Sequence, residues 1–183
     1  MSQQLSLLEE TPEPLLRLDL GCGPNPRTGF EGVDERNFPG VTHVVDLRKP
    51  WPWKDSTVSE AHCSHFIEHL EALERVHFVN ELHRVLVPGG SCFCVTPHWS
   101  SCRAYGDLTH KWPPVSEFWF YYLDAEWRKV NAPHNDFYKC DFAVTGSFNL
   151  HPLIATRNLE YQQHAVTFWK EATPDIVFTL VKR

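Results

Sequence analysis

Apolar residues fall along this chain in short runs, most of them closed by a glycine or an acid. Leu15–Leu20 ends at Gly21, Phe30–Val33 at Asp34 and Val41–Val45 at Asp46. Runs of this length, bounded by turn residues, predict buried strands. Val58–Ser64 predicts a fourth strand, although Glu60 and His62 interrupt its apolar character, and Ser91–Thr96 a fifth. Between these two, Leu73, Val76, Val79, Leu82 and Leu86 recur at steps of three or four. That spacing predicts a helix over Leu70–Leu86 with one apolar stripe, stopped by Pro88-Gly89-Gly90. Ser116 is placed to cap a short helix running to about Leu123. Residues 137–148 and 175–182 alternate as strands do, and 159–169 predicts a further strand.

Strands alternating with helical or loop crossovers predict an α/β fold around a mostly parallel sheet. The 183 residues suit one core. Residues 1–14, polar and acidic with Pro12 and Pro14, read as a flexible arm before a single domain over 15–183. An aromatic-rich insertion spans about 97–133, with Trp99, Tyr105, Trp112, Phe118, Trp119, Phe120, Tyr121, Tyr122 and Trp127. Most of these rings are expected in core packing. One or two, Trp99 or Trp112, would line a substrate site, and a homodimer face is the other reading.

The N-terminal stretch has neither the basic nor the apolar segment of a secretory signal, and no apolar run approaches the roughly 20 residues of a membrane span. The expected location is the cytoplasm, with no membrane partner. A net charge of −6 argues against a general nucleic-acid partner, which would need a basic face. The six cysteines include no C-x-x-C pair and read as small hydrophobes in a reducing compartment.

In parallel sheets, ligands bind beyond the carboxyl ends of the strands. Asp19, Gly21, Asp34, Asp46 and Ser64-His65 all fall at or just past predicted strand ends, so one rim gathers polar groups. The pair Gly21-x-Gly23 suggests a dinucleotide turn, but Pro26 stands at the third glycine position. Six residues, two of them proline, separate Gly23 from Phe30. At about 3.6 residues per turn they leave little more than a single turn. The helix N-terminus that holds a pyrophosphate is therefore missing. S-adenosylmethionine carries no phosphate. Its amino-acid end can approach glycine backbone, and carboxylates after the second and third strands suit its ribose and adenine.

The motifs LDLGCGPNP, VVDLRKPWPWKDSTVSEAHCSHFIEHL and ELHRVLVPGG, in that order from about Leu15 to Pro97, resemble the class I S-adenosylmethionine-dependent methyltransferases of type 11. The short link after the glycines is similar to that of a compact subgroup with a reduced first helix. The resemblance implies an enzyme with a Rossmann-like, doubly wound, mostly parallel sheet and an antiparallel C-terminal strand, using S-adenosyl-L-methionine. It also implies site roles. Gly21, Cys22 and Gly23 would lie under the methionyl part, with Asp19 receiving its amine. Asp34 would bind ribose, while Asp46 and the Leu47 backbone would hold adenine. Ser64 and His65 would lie near the sulfonium.

GDLTHKW resembles a D-P-T-H-K-R-like segment of this subgroup, with Leu108 in place of proline. A neutral histidine can take a proton from a hydroxyl or amine. His110 and then His65 are the candidate catalytic residues, while packing among the tryptophans is the alternative for His110. His98, Asp107, Thr109 and Lys111 belong with His110 to one cluster in the aromatic insertion. No metal is expected, because the histidine pair His65 and His69, four apart, has no evident third ligand, and Glu68 and His69 would cap and orient their turn. No N-P-P-Y-type motif ends the fourth strand, where C-S-H stands, and no Pro-Cys nucleophile follows. Base methylation in DNA is thus disfavoured. The expected acceptor is an O or N atom on a small metabolite or glycan. The competing reading is a non-catalytic sensor or assembly subunit on the same fold.

Overall fold

The structure is a computed structural model and describes residues 14–183. The expected N-terminal arm lies, but for Pro14, outside the described residues. Seven strands form one sheet in the order β3-β2-β1-β4-β5-β7-β6. They are β1 Leu16–Leu20, β2 Glu31–Asp34, β3 Val41–Val44, β4 Val58–Ser64, β5 Leu86–Pro97, β6 Phe142–Asn149 and β7 Asp175–Lys182. β1 to β5 pair in parallel, and β7 runs antiparallel to both β5 and β6. This is the doubly wound order with its antiparallel C-terminal strand. β1 passes to β2 through turns, with no helix between them.

α1 spans Ala72–Val85. It starts at a capping box in which Glu71 and Glu74 satisfy each other's backbone N–H groups. Its buried face is Arg75, Phe78, Val79, Leu82 and Val85, so the stripe is rotated from the expected one and Leu73 is 68% exposed. The proline-glycine turn is not the helix stop. Leu86 already leaves the helix at ψ 141° and enters β5. Pro88, Gly89 and Gly90 lie inside a bulge, where Val58 pairs with Leu86 and Glu60 with Ser91. A Cβ on Gly90 would meet the Val87 carbonyl oxygen at 2.9 Å, so this bulge needs glycine.

Shorter helices follow: α2 Arg103–Gly106, α3 Ala125–Asn131, α4 Pro152–Ala155 and α5 Leu159–Phe168. The strand expected over 159–169 is therefore a helix. Asn158 caps it, accepting from the Tyr161 N–H at 2.9 Å, and Tyr161 and Ala165, four apart, pack with Ile154 and Ala172. The stretch after Ser116 is a 3₁₀ helix over Glu117–Leu123, and the Ser116 side chain makes no cap bond. β6 starts at Phe142, later than the alternation from residue 137 suggested.

The core gathers Leu18, Leu20 and Val33 of the sheet with Phe78, Val79 and Leu82 of α1 and Phe178 and Leu180 of β7. Trp51 and Trp53, in the loop after β3, join it. Their rings meet edge-on at 5.7 Å, and Trp51 meets Phe78 at 5.4 Å. Trp119 and Phe120 of the insertion pack against the same core, but Trp99, Tyr105, Trp112, Phe118 and Tyr121 are exposed, so most of its rings are not in the core as expected. Among the described residues, no helix is long and apolar enough to cross a membrane.

Candidate functional site

A cavity of about 480 Å³ opens beyond the carboxyl ends of β1 to β4, at the rim where the strand ends gather their polar groups. Gly21 and Gly23 line it, both with positive φ, at 71° and 56°. Asp34, Val45, Asp46, Leu47, His65 and Phe66 line it from the following strand ends. His69, Leu70, Thr109 and Lys111 close the side toward the insertion.

The glycine loop is held from behind. The Gly21 and Cys22 N–H groups both donate to the Val33 carbonyl, at 2.8 and 3.1 Å. The Gly23 N–H donates to Asp34 Oδ2 at 2.9 Å, and the Arg27 N–H to Asp19 Oδ2 at 2.7 Å. The loop's donors are thus spent on strand and carboxylate. An anion-binding nest needs those N–H groups free, so this turn is built for a ligand without a phosphate.

Asp19 is buried and does not line the cavity. His62 Nδ1 lies 2.7 Å from its Oδ1, so it braces the loop between β4 and Arg27. Cys22 also turns away, packing over Gly32, where a Cβ would come within 3.0 Å of its sulfur. Burial and the nearby Asp19 and Asp34 push its thiol up to about 11, which keeps it protonated and inert. Asp34 accepts from the Gly23 and Arg36 N–H groups and still faces the cavity. Ser64 ends β4 but does not line the cavity.

Asp46 accepts from Arg48 Nε at 2.7 Å and from the Arg48 N–H at 3.1 Å. The Arg48 hydrogen bond, supported by Lys49, holds its carboxyl at about 2. Arg48 also donates to Glu35 Oε2 at 2.6 Å, so a charge-balanced clasp edges the cavity. Leu47 is fixed by Trp51, whose Nε1–H donates to the Leu47 carbonyl at 3.1 Å while Glu81 takes the Trp51 N–H at 2.7 Å.

His65 lies just past β4 with φ 53°, a left-handed geometry that few non-glycine residues adopt. Its N–H donates to the Val95 carbonyl, and the turn aims its ring into the cavity. Nδ1 lies 3.2 Å from Glu68 Oε1, and this contact raises the histidine above its ordinary range. His110 does not line the cavity. Its ring packs edge-on against His69 at 4.8 Å, with Nδ1 3.3 Å from the Ala104 carbonyl. His98 parts from the cluster suggested by sequence: it is buried between Ser100 and Glu117, at 2.8 and 3.0 Å.

Three residues stand out only in the structure. Arg75, buried in α1, donates to the carbonyls of Ile67, Leu70, Lys111 and Pro113. It fastens the turn after β4 to the insertion, and so shapes the wall carrying His69, Thr109 and Lys111. Asp175 opens β7 opposite Pro97, at the same rim. Arg103 of α2 donates to its Oδ2 at 2.8 Å, while Oδ1 is buried with no partner. Both charges act on His65. Nothing in the local sequence marks Asp175, because only the antiparallel pairing brings it to this rim.

Trp99 lies away from the cavity, lining a separate groove of about 430 Å³ with Tyr105, Phe168 and Trp169. Trp112 is exposed and lines neither space.

Residues 30–94 match the family model described as methyltransferase domain, of type 11. No curated protein sequence matches the chain. Among solved structures, the fold is similar to a SAM-dependent methyltransferase from Archaeoglobus fulgidus, with TM-score 0.65, 16% identity and coverage of 93% of this chain and 87% of that one. It is also similar to an S-adenosylmethionine-dependent methyltransferase from Mesorhizobium loti, with TM-score 0.53, 17% identity and 94% of each chain covered. A third is 1,6-didemethyltoxoflavin-N1-methyltransferase from Burkholderia thailandensis, solved with 1,6-didemethyltoxoflavin and S-adenosylhomocysteine: TM-score 0.56, 14% identity, covering 92% of this chain and 71% of that one.

Proposed function

We propose that this chain is a class I S-adenosylmethionine-dependent methyltransferase of type 11, a reading supported by the match over residues 30–94, and that it methylates an O or N atom on a small metabolite or glycan. One observation carries the cofactor side. The glycine loop turns its N–H groups inward, to Val33 and Asp34, while two carboxylates edge the cavity. Such a site favours a cationic nucleoside over a pyrophosphate. Gly21 and Gly23 would lie under the methionyl part, with Cys22 and the buried Asp19 supporting that loop. Asp34 would take the ribose hydroxyls. Asp46 and the Leu47 backbone would hold adenine. His65 would border the methyl group, with Ser64 behind it at the end of β4.

S-adenosylmethionine, when bound, supplies a methyl already made electrophilic by its sulfonium. The protein's task is then alignment and exclusion of water. His65 would receive the proton of an acceptor hydroxyl, since its ring faces the cavity. His110 would act only through His69, whose ring stands between it and the ligand. A small acceptor is supported by the volume, as about 480 Å³ lies within the range of small-molecule sites.

The test is incubation with methyl-labelled S-adenosylmethionine and separate small-molecule, glycan, protein and nucleic-acid fractions. Labelled product together with S-adenosylhomocysteine is expected from the small-molecule or glycan fractions. Transfer only to protein or nucleic-acid fractions contradicts the assigned acceptor class. Tight cofactor binding with no transfer to any fraction favours the sensor or assembly reading.

A further inference from the structure

We propose that Glu68, His69 and His110 form a binding site for one divalent transition-metal cation of the zinc type, at the edge of the cofactor cavity. One ligand atom from each residue lies within 4.8 Å of the others. A tetrahedral site with bonds of about 2.0–2.1 Å would draw these atoms closer still, a contraction within reach of side-chain motion.

The hydrogen bonds around the two histidines set their tautomers. His110 Nδ1 faces the Ala104 carbonyl, which can only accept, so this nitrogen carries the proton. The Thr109 hydroxyl donates to Asp107 Oδ1 at 2.7 Å and therefore accepts from His69 Nδ1 at 3.1 Å. Both Nε2 atoms are left as lone-pair donors. A backbone carbonyl and a hydroxyl–carboxylate pair behind the ring are the outer contacts that orient metal-binding histidines.

Glu68 supplies the second, independent reason. It is buried, and its one ion-pair partner among the described residues is His65, a cation only when protonated, with no arginine or lysine side chain pairing with it. Its contacts are the Thr96 hydroxyl at 3.0 Å and His65 Nδ1 at 3.2 Å. Nearby Arg75 spends its guanidinium on four carbonyls. A buried carboxylate is ordinarily paired with a cation or bound to a metal. Two imidazoles and one carboxylate are a donor set that suits zinc and its neighbours, and three protein ligands leave a position open. That position lies beside His69, Thr109 and Lys111, which line the cavity where an acceptor would enter.

The site does not depend on methyl transfer, so it is tested on the untagged chain alone, without S-adenosylmethionine. Cobalt(II) chloride, followed by visible absorption, and zinc chloride, followed by calorimetry, are the probes. The expected result is one metal per chain with the spectrum of four-coordinate cobalt, lost in the double variant His69→Ala/His110→Ala. The variant Thr109→Val removes only an outer contact and should weaken zinc by about tenfold. It decides the matter if circular dichroism shows the double variant unfolded. A wild-type chain with no cobalt spectrum overturns the site. So does a folded double variant that binds as the wild type does, or unchanged affinity in Thr109→Val.

Discussion

Gly21→Ala is expected to abolish measurable cofactor binding, and Gly23→Ala to weaken it far less. Both glycines hold positive φ, so an alanine at either strains the backbone by about 1–2 kcal/mol. Their surroundings differ. Nothing lies within 4 Å of a Cβ built on Gly23. At Gly21 the added carbon would stand 2.4 Å from Phe66 Cδ2 and 2.8 Å from Phe66 Cβ. A contact with Cβ cannot be relieved by turning the ring alone, so the Phe66 backbone must move. Phe66 lies between His65 and the 3₁₀ turn Ile67–His69, and packs on Phe78 at 5.8 Å. One methyl would therefore displace two walls of the cavity. Thermal shift with S-adenosylhomocysteine separates the two variants: a ligand at a hundredfold its Kd adds about 2.7 kcal/mol to stability. That gain should vanish in Gly21→Ala and persist, reduced, in Gly23→Ala. Equal gains in both would show that the Phe66 contact is not what makes Gly21 obligatory.

Arg75→Met is expected to cost the largest share of stability of any single change near the site. The methionine fills most of the same volume, so packing loss is small. What is lost is a guanidinium donating to four carbonyls on two segments far apart in sequence. The Ile67 carbonyl keeps the Leu70 N–H as a donor, and each of the other buried acceptors left without one costs about 1–3 kcal/mol. With partial access of water to the Pro113 and Lys111 carbonyls, a total of about 3–5 kcal/mol follows. For a domain of this size that corresponds to a melting temperature lower by roughly 10 °C. Arg75→Lys should recover little, since one ammonium cannot reach four carbonyls placed for a planar fork. Thermal melts of the three proteins test this, and a lysine variant as stable as the wild type would contradict it.

The sheet was legible in the sequence because its edges carry chemistry. Runs ending at Gly21, Asp34 and Asp46 mark strand ends that turn toward ligand, and these became β1, β2 and β3 nearly residue for residue. The missing helix after β1 was readable from Pro24 and Pro26 and the short span to Phe30. What the sequence hid is mostly long-range. The alternation over 159–169 is outweighed by the Asn158 cap and by the contacts of Ala165 with Ile154 and Ala172, which no local pattern reveals. The buried face of α1 includes Arg75, which an apolar count passes over because its partners are carbonyls from a different part of the chain. The glycines after α1 look like a helix stop, yet they serve a bulge that only pairing with β4 requires. In the site, the rim carboxylates were readable at their strand ends. The placing of His110 behind His69 was not, because it depends on how the 107–111 loop folds back over the turn after β4.

The most direct measurement is calorimetric titration of S-adenosylhomocysteine into the wild-type chain, Asp34→Ala and Asp46→Ala. Each carboxylate lost should remove a charged hydrogen bond worth about 1.5–3 kcal/mol, or a rise in Kd of roughly tenfold or more. Wild-type affinity retained in both variants would place the nucleoside elsewhere and contradict the account.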